Sequence, residues 1–141
     1  MFSHSNKTTS KTKLVQLTLN EGIQLSVEHI VEKAELASST GTGQVNVLAT
    51  SAMISIMEKT CVDLIASGMP EGCDSVSAEM NVKHLNPVKE GDTIICRAHL
   101  KFIDINKLFF DVVVLDTKHN TIGLGAHERF VVEHDQFLSQ L

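Results

Sequence analysis

Tryptophan and tyrosine are missing from this 141-residue chain, and phenylalanine supplies all six of its aromatic residues. The core must therefore be built from Phe, Ile, Leu, Val and Met. Arginine occurs only as Arg97 and Arg129, and the net charge is −5 with a pI near 5.7. That balance argues against nucleic acid as a partner, because its binders carry a basic face. It leaves room for a small anionic ligand held by a local Lys or Arg cluster. Cysteine is scarce and odd in number: Cys61, Cys73 and Cys96 form no Cys-x-x-Cys pair. With no signal-peptide pattern at the start, the expectation is a reducing cytoplasmic compartment. No apolar run approaches the ~18 residues of a membrane span. Seven histidines are scattered with no His-Glu-x-x-His or Cys/His set, so no metal is expected.

What the chain does have is 43% hydrophobic and 21% charged residues, the composition of one ordinary globular domain. Residues 1–12 read as a flexible polar tail and 13–141 as a single domain. The run KLVQLTLNEGIQLSVEHIV is extended, with a turn at Asn20-Glu21-Gly22. EKAELASSTGTGQVN is small and polar, the pattern of a loop or lid. From about Val45 to Ser67 the periodicity is helical, with Gly68 as its C-cap. Four strands follow. TIICRAHLKFI alternates, with Ile94, Cys96, Ala98, Leu100 and Phe102 on one face and Ile95, Arg97, His99 and Lys101 on the other. Near the end, Gly123 and Gly125 mark a bulge or a close backbone approach. One long helix among antiparallel strands is an α+β arrangement. A single helix covers only part of one sheet face, so a second subunit, and hence a homodimer, is expected.

The helix carries a puzzle. At ~100° per residue, Met53, Ile54, Met57, Cys61, Leu64 and Ile65 form one stripe, and Lys59 and Asp63 pair on the opposite face. Glu58 belongs to neither, lying at the margin of the apolar stripe. A carboxyl there is either a rim residue that reaches water or a functional group, and helix geometry alone does not decide. Thr50 stands eight residues earlier, ~12 Å along the axis. It can share a pocket with Glu58 only from the start of the helix; otherwise it caps or packs.

The stretches LATSAMISIMEKTCVDL, VKHLNPVKEGDTI and GLGAHERFVV resemble the hotdog-fold acyl-CoA thioesterases, specifically the fluoroacetyl-CoA thioesterase-like family, over roughly residues 22 to 135. The resemblance implies a five- to six-stranded antiparallel sheet wrapped around one long helix, paired into a dimer, with a tetramer as a further option. It implies catalytic roles for Thr50, Glu58 and His84, and hydrolysis of a small or medium acyl-CoA to free acid and coenzyme A, with no cofactor besides the coenzyme A that is part of the substrate. The Arg of the Gly-x-Gly-x-His-Glu-Arg run is Arg129, a substrate contact or a partner of Glu128 or another acid. Lys83 is a candidate phosphate contact, as is the basic stripe of Arg97, His99 and Lys101, and Ser77 joins the expected substrate-binding set. Glu58 would serve either as nucleophile or as the base that activates water. His84 would move the proton, and backbone N–H groups at the helix start would polarise the thioester oxygen.

One departure bears on specificity. Family members that act on the fluorinated substrate close their pocket with phenylalanines before the Thr, where STGTGQVNVLAT has Gly41 and Gln44. A looser lid and a different acyl group are expected. Two rival readings are a hotdog enoyl-CoA hydratase and a non-catalytic acyl-CoA-sensing module. The hydratase would place Asp and His at the helix mouth, where GTGQVNVLATS has neither.

Overall fold

The computed structural model describes residues 17–141; the expected flexible tail lies outside the described residues. Strand β1 (Gln24–Ile30) is followed by a 3-10 turn (Lys33–Glu35), the short helix α1 (Ala37–Thr40) and the long helix α2 (Thr50–Ile65). Four strands then run β2 (Cys73–His84), β3 (Thr93–Asp104), β4 (Lys107–Asp116) and β5 (Thr121–Glu133), and α3 (His134–Ser139) ends the chain. All strand pairs are antiparallel, in the order β1-β3-β4-β5-β2. The expected α+β arrangement is present, with five strands among the described residues. No helix among them is long and apolar enough to cross a membrane.

The core is where two periodicities meet. Along α2, Met53, Met57, Cys61 and Ile65 recur every fourth residue and are buried. Alternate residues of the sheet lie beneath them: Ile94, Cys96, Ala98 and Leu100 on β3, and Leu108, Phe110, Val112 and Val114 on β4. Each large apolar side chain removed from water contributes about 1.5–3 kcal/mol, so this face is what holds helix to sheet. Lys59 and Asp63 pair at 3.2 Å on the solvent side, as the spacing predicts.

Three expectations need correction. Phe102 does not continue the buried row, because the β3–β4 register shifts between Leu100 and Phe102. An extra residue reverses the alternation, so Phe102 is left 41% exposed, stacked on Phe109 with ring centroids 4.0 Å apart. The long helix starts at Thr50 rather than Val45. Leu48 N–H donates to the Val88 carbonyl and Ala49 N–H to that of Glu35, both at 2.8 Å. In a helix opening at Val45 the Ala49 N–H would bond the Val45 carbonyl. Its bond to Glu35 excludes that turn, and the first intrahelical bond is from Met53 N–H to the Ala49 carbonyl. Gly68 lies in a 3-10 turn without a left-handed φ. A Cβ there would collide with the Leu19 side chain, so the glycine permits a close approach rather than a C-cap.

Candidate active site

Thr50 opens α2 and His84 closes β2, and the two reach each other through a glycine. In the β2–β5 register His84 lies opposite Gly123. A Cβ on Gly123 would sit 2.5 Å from Met53 Sδ. Its absence lets the first turn of α2 settle onto the ends of β2 and β5. Thr50 Oγ1 then comes 2.8 Å from His84 Nδ1. Burial pushes the His84 pKa down, which favours the neutral ring. Its Nε2 is buried and makes no hydrogen bond among the described residues. Thr50 itself is exposed. The residue before it, Ala49, has no side chain that can cap the helix. The first N–H groups of α2 therefore lack the oxygen that Ser, Thr, Asp or Asn would supply at that position.

Glu58 lies about 12 Å further along the helix axis in a different cluster. Its Oε2 is 3.4 Å from Arg129 Nη1, with the Glu58 side chain 35% exposed and that of Arg129 only 8%. The guanidinium is held from behind. Nε donates to Ser75 Oγ at 2.8 Å, Nη2 to the Ser75 carbonyl at 3.0 Å and Nη1 to His127 Nε2 at 3.1 Å. His127 Nδ1 in turn lies 2.7 Å from the Glu79 carbonyl. Burial is the main reason the His127 pKa is lowered, helped by the adjacent guanidinium. Glu128, the alternative acid for Arg129, is the preceding residue of β5, and successive strand residues face opposite ways. It pairs instead with Lys107 at 2.7 Å.

Within one chain, then, Thr50 joins His84 and Glu58 joins Arg129, but the two pairs stay apart. His84 is opposite Gly123, and six strand residues, ~20 Å, separate that position from Arg129. Ser77 is the register partner of Arg129, beside a shift between Ser77 and Glu79, and it is exposed. The serine that holds Arg129 is Ser75. Lys83 alternates with His84 and faces the outer surface of the sheet. There it lines a groove of about 600 Å³ with Asn81, Arg97, His99, Asp111 and Leu124. Arg97 in this groove donates to Ser26 Oγ at 3.1 Å. Sequence reasoning missed Ser75 and His127. His127 had a usable signal, since it is two residues from Arg129 and so on the same strand face, whereas Ser75 depends on the register alone.

The segment before Thr50 is tied by small polar groups. Ser38 Oγ donates to Asn46 Oδ1 at 2.6 Å, Thr40 and Thr42 hydroxyls meet at 2.8 Å, and Gly41 takes a left-handed φ of 77°. Gln44 and Val45 are exposed. No phenylalanine lies in this segment.

Comparison with known proteins agrees with this architecture. A solved structure of the fluoroacetyl-CoA thioesterase FlK superposes with a TM-score of 0.80 at 23% identity, over 86% of this chain and 94% of that one. A thioesterase superfamily member from Thermus thermophilus gives 0.79 at 20% identity, over 86% and 89%. A hot-dog-like protein from Thermanaerovibrio acidaminovorans gives 0.78 at 21%, over 85% and 88%. The fold is therefore a hotdog. In sequence, the fluoroacetyl-CoA thioesterase of Streptantibioticus cattleyicolor is 31% identical over 91 residues, 64% of this chain and 65% of that protein, just under two thirds of its length. The profile described as fluoroacetyl-CoA-specific thioesterase matches residues 31–135, most of the chain. The chain belongs to the fluoroacetyl-CoA-specific thioesterase family.

Proposed function

We propose that this protein hydrolyses the thioester of a small or medium acyl-CoA, giving the free acid and coenzyme A. The observation that carries the reading is the 2.8 Å contact between Thr50 Oγ1 and His84 Nδ1 at the uncapped start of α2. A thioester carbonyl laid there meets first-turn N–H groups that polarise its oxygen, where charge develops as the carbon becomes tetrahedral. The neutral imidazole takes and returns a proton through the threonine hydroxyl. The sulfur leaves as the thiol of coenzyme A, and water supplies the new oxygen of the acid.

The carboxylate comes from a second copy. Glu58 and Thr50 of one chain stand two helical turns apart, so a homodimer is proposed in which the partner's Glu58 approaches the Thr50–His84 pair. There it either attacks the carbonyl carbon or activates the attacking water. The same dimer accounts for a sheet whose edges, β1 and β2, have no further strand beside them among the described residues; whether dimers pair into tetramers is a further outcome of the same measurement. The reading needs no cofactor beyond the coenzyme A of the substrate, and the scarce, unpaired cysteines fit a cytoplasmic protein. A variant of the fluoroacetyl-CoA-specific thioesterase has been solved with fluoroacetate and CoA, which supports the same substrate class here. With Gly41 and Gln44 in the lid, selectivity for a fluorinated acyl group is not part of the proposal.

The test is release of free thiol from a panel of short, medium and aromatic acyl-CoAs, with mass measured by light scattering. Glu58→Gln and His84→Ala should each abolish turnover in a folded dimer, and mixing the two variants should restore part of it. Tight acyl-CoA binding without thiol release by the unaltered protein would instead favour the sensing module, and hydration of an enoyl-CoA the rival enzyme.

A further inference from the structure

Behind Glu58 lies a layer of polar groups that the proposed chemistry does not use. Arg129, Ser75 and His127 are 7%, 8% and 1% exposed. Buried polar side chains persist when their hydrogen bonds are met, and here the partners leave little freedom. A carbonyl only accepts, so His127 Nδ1, 2.7 Å from the Glu79 carbonyl, carries the proton. A guanidinium only donates, so Nε2, 3.1 Å from Arg129 Nη1, is the lone pair. The ring is therefore the neutral Nδ1–H tautomer, and protonating Nε2 would set two donors against each other. The register shift between Ser77 and Glu79 lies between the two β2 residues that make these contacts. Such irregularities re-aim strand groups, and this one brings both the Glu79 carbonyl and Ser75 to bear on the same cluster.

We infer that Ser75 and His127 are positioning residues for Glu58, acting through Arg129. The distances order the control. The three contacts behind the guanidinium are 2.8, 3.0 and 3.1 Å, whereas the one in front, to Glu58, is 3.4 Å. Ser75 and His127 set where the positive charge sits, and the half-exposed carboxylate follows it. Glu58 is the one carboxylate within ion-pair distance of Arg129 among the described residues, so its place depends on this cradle. The catalytic part of the inference rests on the thioesterase reading; the geometric part does not.

Two measurements on the full-length protein test it. The first is nitrogen NMR of His127 together with the carboxylate carbon of Glu58. The neutral Nδ1–H tautomer is expected at neutral pH, and the Glu58 signal should shift in Ser75→Ala. An Nε2–H tautomer, an imidazolium, or a Glu58 signal indifferent to Ser75→Ala would overturn the inference. The second is kinetic. Ser75→Ala and His127→Phe should lower kcat about 10- to 100-fold, the effect of misplacing a reacting group by about 1 Å, with little change in KM. His127→Gln, which keeps an acceptor for the guanidinium, should recover much of that loss. Unchanged kcat in folded variants would also overturn it. Should the unaltered protein hydrolyse no acyl-CoA, the thioesterase reading fails while the NMR result still decides the cradle.

Discussion

Gly123→Ala tests the link between packing and chemistry most directly. The new Cβ would lie 2.5 Å from Met53 Sδ, 2.9 Å from Met53 Cε and 3.3 Å from the Lys83 carbonyl oxygen. The first two atoms are the end of a flexible side chain, but Met53 is 0% exposed and has no solvent to move into. Overpacking of this kind costs about 1–3 kcal/mol. At about 4 °C per kcal/mol for a chain of this size, Tm should fall by roughly 4–12 °C. The same push lifts the first turn of α2 from the strand that ends in His84. The 2.8 Å contact with Thr50 should open, and kcat should fall by about 10- to 100-fold. Calorimetry and thiol release read the two effects. Gly125→Ala is the milder comparison, its Cβ meeting Val82 Cγ1 at 3.2 Å and Met57 Sδ at 3.3 Å. Met53→Ala alone should cost about 2–5 kcal/mol. Combined with Gly123→Ala it should cost less than the sum, because the added methyl occupies space the methionine vacates. Strict additivity, or a Gly123→Ala protein with unchanged Tm and kcat, would refute the reasoning.

Three further outcomes are expected. Thr50→Val keeps the shape but removes the hydroxyl from His84; it should leave the stability within about 1 kcal/mol of the original and lower kcat with little change in KM. His84 and His127 both have lowered pKa values in the fold, so the unfolded chain takes up protons first, near pH 6.5. Stability should be complete above that pH and fall as the pH drops through the folded-state values; urea midpoints that rise toward acid would contradict this. Burial raises the pKa of the Cys61 and Cys96 thiols, both fully buried. They should stay silent to a thiol reagent until unfolding, when all three cysteines react.

Local periodicity made much of the architecture readable in advance. The four-residue spacing of Met53, Met57, Cys61 and Ile65, the alternation from Ile94 to Leu100, the Lys59–Asp63 pair and the tight contact at Gly123 all appear where the pattern placed them. Each follows from the geometry of a single element, which neighbouring residues suffice to determine. The start of the helix at Thr50 rather than Val45 does not belong to that class, because it is set by hydrogen bonds to Val88 and Glu35.

Partnership between distant elements was a different matter. Ser75 rather than Ser77 holds Arg129. Phe102 leaves the core, and Gly68 makes room for Leu19 instead of ending a helix. All of these turn on strand register, bulges or the approach of one element to another. A one-residue shift reverses which face every following side chain occupies, and that shift is set jointly by two strands. The chain alone determined the elements and the residue types able to do chemistry. Only the folded arrangement decided that Thr50 meets His84 while Glu58 rests on Arg129, because those contacts span 34 and 71 residues and exist only once the sheet has closed beneath the helix.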